Sequence, residues 1–245
     1  VLSLSALDIL ALTIATIFTS GFAAALGQGG GLMLFAILAI YFELPLLIAL
    51  HGVIQIFSNS SRAALALPHI QWRLVAPILI GIVLGAIAIT PALAQTNWSG
   101  MQAIMGAYIL LLTWQPRLSI TMKIPGTMLV TGLLQGSLGM LLGATGPLTN
   151  ALLLSKGLAK DNIVASNAVI MTTSHIIKVM LFAALGVSVW LYLDVLMILS
   201  AAAILGSYIG TRIRHKLSAR LFGLLFKWLL SALALRMLLL GMPFI

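Results

Sequence analysis

Five polar side chains recur every three or four residues inside the apolar stretch "ELPLLIALHGVIQIFSNSSRAALAL": His51, Gln55, Ser58, Asn59 and Arg62. That spacing places all five on one face of a helix. An imidazole, two amides, a hydroxyl and a guanidinium on one stripe form a donor set suited to a small anion. A second stripe, Asn167, Ser174, His175 and Lys178, with Thr172 and Thr173 alongside, lies in "VASNAVIMTTSHIIKVM". Polar and ionisable groups within membrane segments face a bundle interior and mark substrate or ion pathways; their bland use is hydrogen bonding between helices. Two glycine clusters accompany the stripes. "GQGGG" supplies Gly27, Gln28, Gly29, Gly30 and Gly31, and "GATGP" supplies Gly143, Thr145, Gly146 and Pro147. Glycine costs a helix about 1 kcal/mol relative to alanine, and irregular backbone at membrane depth is tolerated only inside protein or beside a watery cavity. A helix restarting after such a break aims free N–H groups and its positive end into the gap, and Pro147 suits a first helical turn. Two such N-termini would make an anion site. The alternative use of the glycines is close helix packing, although packing motifs space glycines by four rather than clustering them.

The elements that must carry these residues are membrane helices. The 245 residues are 62% hydrophobic and 7% charged, where soluble domains are about 25% charged, and mean hydropathy is +1.19. Ten apolar blocks fall at 6–26, 31–42, 45–67, 74–94, 99–115, 124–142, 146–156, 162–186, 189–210 and 219–241. Solid blocks without alternation exclude a β-barrel. Blocks 31–42 and 146–156 are too short to span comfortably. The expectation is therefore an all-α polytopic membrane protein of about 8–10 segments. The first segment lacks a basic leader and carries Asp8, which reads as structure; a cleavable signal ending near Ala25 is the minor alternative. The chain opens on Val1 rather than Met, which leaves room for residues upstream.

A shift of 116 positions brings the halves into register. Gly27, Gly30, Leu32, Ala49, Val53, Ile54 and Ser58 fall on Gly143, Gly146, Leu148, Ala165, Val169, Ile170 and Ser174, and Arg62 falls on Lys178. After a slip of five, Gly85 and Thr90 fall on Gly206 and Thr211. This points to a duplication, 1–118 and 119–245, within one integral membrane unit. Lysine and arginine concentrate in alternate loops: Arg73; Arg117 and Lys123; Lys156 and Lys160; and Arg212, Arg214, Lys216 and Arg220. Placing every basic loop in the cytoplasm puts both termini outside and equivalent loops of the halves on opposite sides. That is the charge pattern of inverted-topology repeats with broken or re-entrant helices, as in secondary transporters. Depth along the helices sets Gln55–Asn59 near the membrane centre, with Arg62 toward the cytoplasm and Lys178 toward the outside as two positive vestibules. Snorkelling to the nearer interface is the alternative for both cations.

Other classes fit poorly. No basic run interleaved with aromatics suggests nucleic acid, and the excess positive charge of +9 has a topological account. There is no cysteine, so no disulfide or thiolate site is expected, and neither a metal site nor a cofactor. An enzyme would need a constellation such as HExxH or GxSxG, and neither string occurs. Asp8, Glu43, Asp161 and Asp194 sit near segment ends, which leaves His51 and His175 as the imidazoles at depth.

With these residues in view, the chain resembles the sulfite exporter TauE/SafE family of the TSUP group. The resemblance rests on "GFAAALGQGGGLML", "ALHGVIQIFSNSSRA", "GSLGMLLGATGPLTNALLLSKGLAKDNIVASNAV" and "TTSHIIKVMLF". It implies an integral inner-membrane permease, built by duplication, for sulfite or organosulfonates such as sulfoacetate. Its glycine segments correspond to Gly27–Gly31 and Gly143–Pro147, and its polar positions to the two stripes. The second glycine segment is sparser, with Ala144 opposite Gln28. The expectation is a bacterial inner-membrane exporter working by alternating access on a small anion, with the lipid bilayer as its surroundings and a homodimer as one admissible assembly. An anion channel, or an assembly factor with no transported substrate, is the competing reading.

Overall fold

The computed structural model describes residues 4–27, 29–114, 126–143, 145–214 and 219–241. Every regular element among them is helical. The first half runs α1 (Ala6–Leu26), α2 (Gly30–Leu38), α3 (Leu46–Leu65), α4 (Trp72–Ala94) and α5 (Met101–Trp114). The second runs α6 (Thr127–Leu142), α7 (Gly146–Ser155), α8 (Lys160–Ala184), α9 (Leu193–Ile213) and α10 (Ala219–Leu240). A single 3-10 turn separates the third and fourth helices of each half, Leu67–His69 and Trp190–Tyr192. The connector around Arg117 and Lys123, together with Gln28 and Lys216, lies outside the described residues.

Local chemistry sets several of these boundaries. Ser5 and Asp8 form a capping box: the Asp8 amide donates to Ser5 Oγ at 3.2 Å and the Ser5 amide to Asp8 Oδ2 at 2.9 Å, which satisfies two amides a helix start leaves free. The block read as 31–42 is helical only to Leu38. From there the chain tightens through i→i−3 bonds, Ile40 to Ile37 and Tyr41 to Leu38, as helix ends do when no further turn follows. At 1.5 Å per residue, α2 and α7, of 9 and 10 residues, reach about 14–15 Å, half of a hydrocarbon core. Four helical stretches are long and apolar enough to cross a membrane among the described residues: Ala6–Leu26, Trp72–Ala94, Lys160–Ala184 and Trp190–Ile213. α3 has the length, with 20 residues, but its polar stripe lowers its hydropathy. The protein is a polytopic, all-α membrane protein.

Two long parallel pairs frame the molecule, α1 along α9 and α4 along α6. Their directions follow from close approaches. Gly206 abuts Ile17 and Gly210 abuts Gly21; Gly132 abuts Ile78 and Gly136 abuts Ile82. A Cβ at Gly206, Gly210, Gly132 or Gly136 would collide with the facing backbone carbonyl. Small residues therefore set the helix spacing, as is usual where lipid removes the hydrophobic drive between helices. α3 and α8 cross the centre antiparallel: His51 meets His175, whereas His69 and Gln71 beyond the end of α3 meet Asn162 and Ser166. α5 and α10 are antiparallel too, with Gly106 against Leu238 and Gly241 against Ala103. Exchanging each helix for the one five places on maps these dominant pairings onto themselves. The lipid-facing surface carries the exposed apolar side chains, among them Ile14, Phe18, Ile87, Met180 and Met197.

Candidate functional site

The polar stripe of α3 is buried throughout: His51, Gln55, Ser58, Asn59 and Arg62 are each at most 6% exposed. Asn167, Ser174, His175 and Lys178 on α8 are buried as deeply. Both Arg62 and Lys178 are enclosed by protein rather than extended toward solvent, as a snorkelling side chain would be. Charges held this deep require partners, and both have them on the backbone or on an amide.

On α3 the partners form a chain. Asn59 Nδ2 donates to the Gln55 carbonyl at 2.7 Å and to Gln55 Oε1 at 3.0 Å. Arg62 Nη2 donates to Asn59 Oδ1, and Arg62 Nε to the Ser58 carbonyl at 3.3 Å. One amide thus orients the next and the last orients the guanidinium. Lys178 Nζ donates to the carbonyl of Gly143, the residue that ends α6, where a cation also meets the negative end of the helix. Thr149 on α7 donates to Asn167 Oδ1 at 2.7 Å.

Both glycine clusters interrupt helices. Gly27 ends α1 with φ 88° and Gly29 begins α2 with φ 92°; Gly143 ends α6 with φ 72°. These are left-handed conformations that glycine adopts without steric cost. The two restarting helices, α2 and α7, open into one cavity between the halves. Gly27, Gly29 and Gly31 wall it from the first half, with His51, Gln55, Asn59 and Arg62 from α3; Thr145, Gly146 and Pro147 come from the second, with Asn167 and His175 from α8. Its volume is about 50 Å³, where one water needs about 10–15 Å³ of such space. That is room for a compact oxyanion. Arg62 brings positive charge to the wall, and no carboxylate contributes to it among the described residues.

Some residues of the two stripes and clusters lie off the cavity wall. Gly30 is wedged against Thr19 and Ala23 of α1. Ser58 turns to α9, where Ser207 Oγ donates to its carbonyl at 3.1 Å and the two hydroxyls lie 3.2 Å apart. Gly143 packs under the ring of Phe35. Ser174 sits beside Gly139 of α6, close to Thr145, and Lys178 lies behind the wall along Gly52. Three wall residues escaped the sequence reading: Ala23, Leu32 and Met171. Their apolar types give no signal in an apolar chain, although Met171 occupies the repeat position of Gln55 and could have been found by that route. Arg214 was also missed as a structural partner. Buried at the end of α9, it donates to Asp161 Oδ1 at 2.6 Å and through Nε to the carbonyl of Ala24 at 3.0 Å.

No curated protein and no solved structure gives a significant match to this sequence. The profile of the family described as "Sulfite exporter TauE/SafE" matches residues 12–237. A match over nearly the whole sequence, on a helical membrane fold with a cation-bearing central cavity, places this chain in the sulfite exporter TauE/SafE family of membrane anion exporters.

Proposed function

We propose that this protein is a secondary transporter that moves sulfite, or a comparably compact sulfur oxyanion, outward across a bacterial inner membrane by alternating access. The observation that carries the reading is the convergence of two helix N-termini and two buried polar stripes on one cavity with positive charge and no carboxylate. Amides at the starts of α2 and α7 would hold the anion's oxygens, with Arg62 as a side-chain donor, Asn59 and His175 beside it in the wall and Lys178 as charge behind them. Antiparallel packing of α3 on α8 and of α5 on α10, with the exchange of helix pairs between halves, supports two inverted repeats, 1–118 and 119–245. Rocking of one repeat against the other around a fixed site would then open the cavity to each side in turn. Basic loops on one side support cytoplasmic placement of that face and periplasmic termini. The small cavity favours sulfite over sulfoacetate.

The test is uptake of radiolabelled sulfite into vesicles holding the purified protein. A saturable flux is expected, falling about tenfold or more in Arg62→Ala and in Lys178→Ala, since each removes one buried charge from the anion's surroundings. Wild-type flux in the double variant would overturn the charge assignment, a non-saturating flux would favour a channel, and no flux of any sulfur anion would favour an assembly factor.

A further inference from the structure

His51 and His175 come from mate helices and touch each other at the cavity wall. Their rings meet edge to face, centroids 5.4 Å apart at 77°, and the side chains are 0% and 5% exposed. His51 Nε2 lies 3.0 Å from the carbonyl of Gly31 and donates to it. Its Nδ1 is consequently a bare acceptor, and that atom is buried without a partner. His175 Nδ1 is also buried without a partner. Two unsatisfied ring nitrogens buried beside one small cavity are costly. His51 Nδ1 is also the wrong partner for an anion, whose oxygens need donors, and it becomes a donor only by taking a proton.

We propose that His51 and His175 form a proton-binding dyad that takes up a proton together with the anion, so that the two cross the membrane as one load. This rests on the anion reading of the cavity and names its coupling ion. The charged groups around the dyad are Lys178, one turn beyond His175 on α8, and Arg62 on α3 in the same wall. Arg214 of α9 is a further cation, near enough to act on Arg62. α1, α2 and α7 bring only uncharged residues to the cavity, and the neighbouring α6 groups, Gln135 and Gly139, are uncharged too. In the empty cavity the two nearby cations repel a further positive charge. An arriving anion cancels that repulsion, and a proton then converts a bare nitrogen into a donor toward it. Each ligand strengthens the binding of the other by one common factor, with couplings of this kind amounting to about 5- to 150-fold. The proton comes from water on the loading side, resides on Nδ1, and leaves to water on the other side with the anion. Anion binding accordingly weakens as pH rises.

The experiment uses the reconstituted protein with a trapped pH dye and an inward gradient of radiolabelled sulfite, at a pH well above the second ionisation of sulfurous acid. There the external anion itself carries no proton. Entry of sulfite with a proton acidifies the lumen, at about one proton per sulfite; entry of the bare dianion does not. The expected result is acidification that tracks uptake in the wild type. In His51→Gln/His175→Gln, proton movement per sulfite falls about fivefold or more whatever rate remains. Uptake by the wild type without acidification overturns the dyad and leaves the anion reading standing. Absence of uptake at neutral pH as well overturns both. Should the double variant fail to insert, the same ratio in the single variants His51→Gln and His175→Gln decides, an unchanged ratio in both overturning the dyad.

Discussion

The two glycine breaks occupy the same place in each half and are built differently. The first uses two left-handed glycines, Gly27 and Gly29, and seats Gly30 where a Cβ would run into the Thr19 carbonyl and Ala23. The second uses one, Gly143, and restarts its helix through Thr145, with φ −119°, and Pro147. Each break is tied to a buried cation from elsewhere. Arg214 of α9 caps the carbonyl of Ala24 near the end of α1, and Lys178 of α8 caps that of Gly143 at the end of α6. The carbonyls left free at a helix end need donors when no water is present, and the two halves use different residues for that task. The position of the break recurs in the two halves more strictly than the way its backbone is satisfied.

The largest expected effect is at Gly30. Gly30→Ala forces a methyl into the backbone of α1, with no flexible side chain to yield, and overpacking of this kind costs about 3 kcal/mol or more at its upper end. Thermal unfolding in detergent should show a sharply lowered midpoint or no folded protein. A midpoint equal to the wild type would mean the first break is no tighter than the second.

The two capping cations come next, and they separate stability from transport. Arg214→Met strands the Ala24 carbonyl and leaves Asp161, whose side chain is 36% exposed, to water and its remaining contacts. An unsatisfied buried carbonyl costs about 1–3 kcal/mol, read in the same unfolding assay. Lys178→Met also strands a carbonyl, but it removes a buried ammonium whose desolvation offsets part of that loss. Its effect should fall on sulfite flux, while the unfolding midpoint moves less than in Arg214→Met. The reverse order would mean that Lys178 serves only the α6 end.

A methyl at Gly143 tests the left-handed turn itself. Gly143→Ala meets the positive φ, worth about 1–2 kcal/mol, and crowds the Phe35 ring contributed by α2. Gly143→Asn, with a side chain that tolerates this backbone region, should restore part of the turn and none of the packing. Comparing the two midpoints apportions the loss between backbone and ring.

Much of this arrangement was legible in the sequence because it is periodic. His51, Gln55, Ser58, Asn59 and Arg62 share a face by arithmetic, and an offset of 116 finds their mates. The breaks were legible because glycine clusters are unusual in a membrane segment. Pairings between distant helices were not. Nothing in the types of Arg214 and Asp161 connects them across 53 positions, and the end of α9 reaches the start of α8 only through packing. Ser58 looks like its neighbours on the stripe, yet Ser207 claims it because α9 lies on that flank of α3. Leu32 and Met171 are invisible as wall residues, since burial in a bilayer gives apolar side chains no distinguishing pattern.

The smallest expected effect on stability is at Gly146, the repeat mate of Gly30, and it sharpens the comparison most. A Cβ here meets only Met171 Sδ, at 3.2 Å, the end of a flexible thioether that can shift. The residue opens α7 with no left-handed backbone, so alanine gains helix propensity of up to about 1 kcal/mol, against a small displacement of Met171. The unfolding midpoint of Gly146→Ala should stay within about 1 kcal/mol of the wild type. The methyl nevertheless enters the wall of a cavity of about 50 Å³, where little space remains for an oxyanion. Sulfite flux should therefore fall while the fold is retained, the opposite of Gly30→Ala. If both variants lose stability together, the second break is packed like the first and the cavity's shape is incidental; if only Gly146→Ala loses flux with an unchanged midpoint, one repeat position has been given over to structure in one half and to the site in the other.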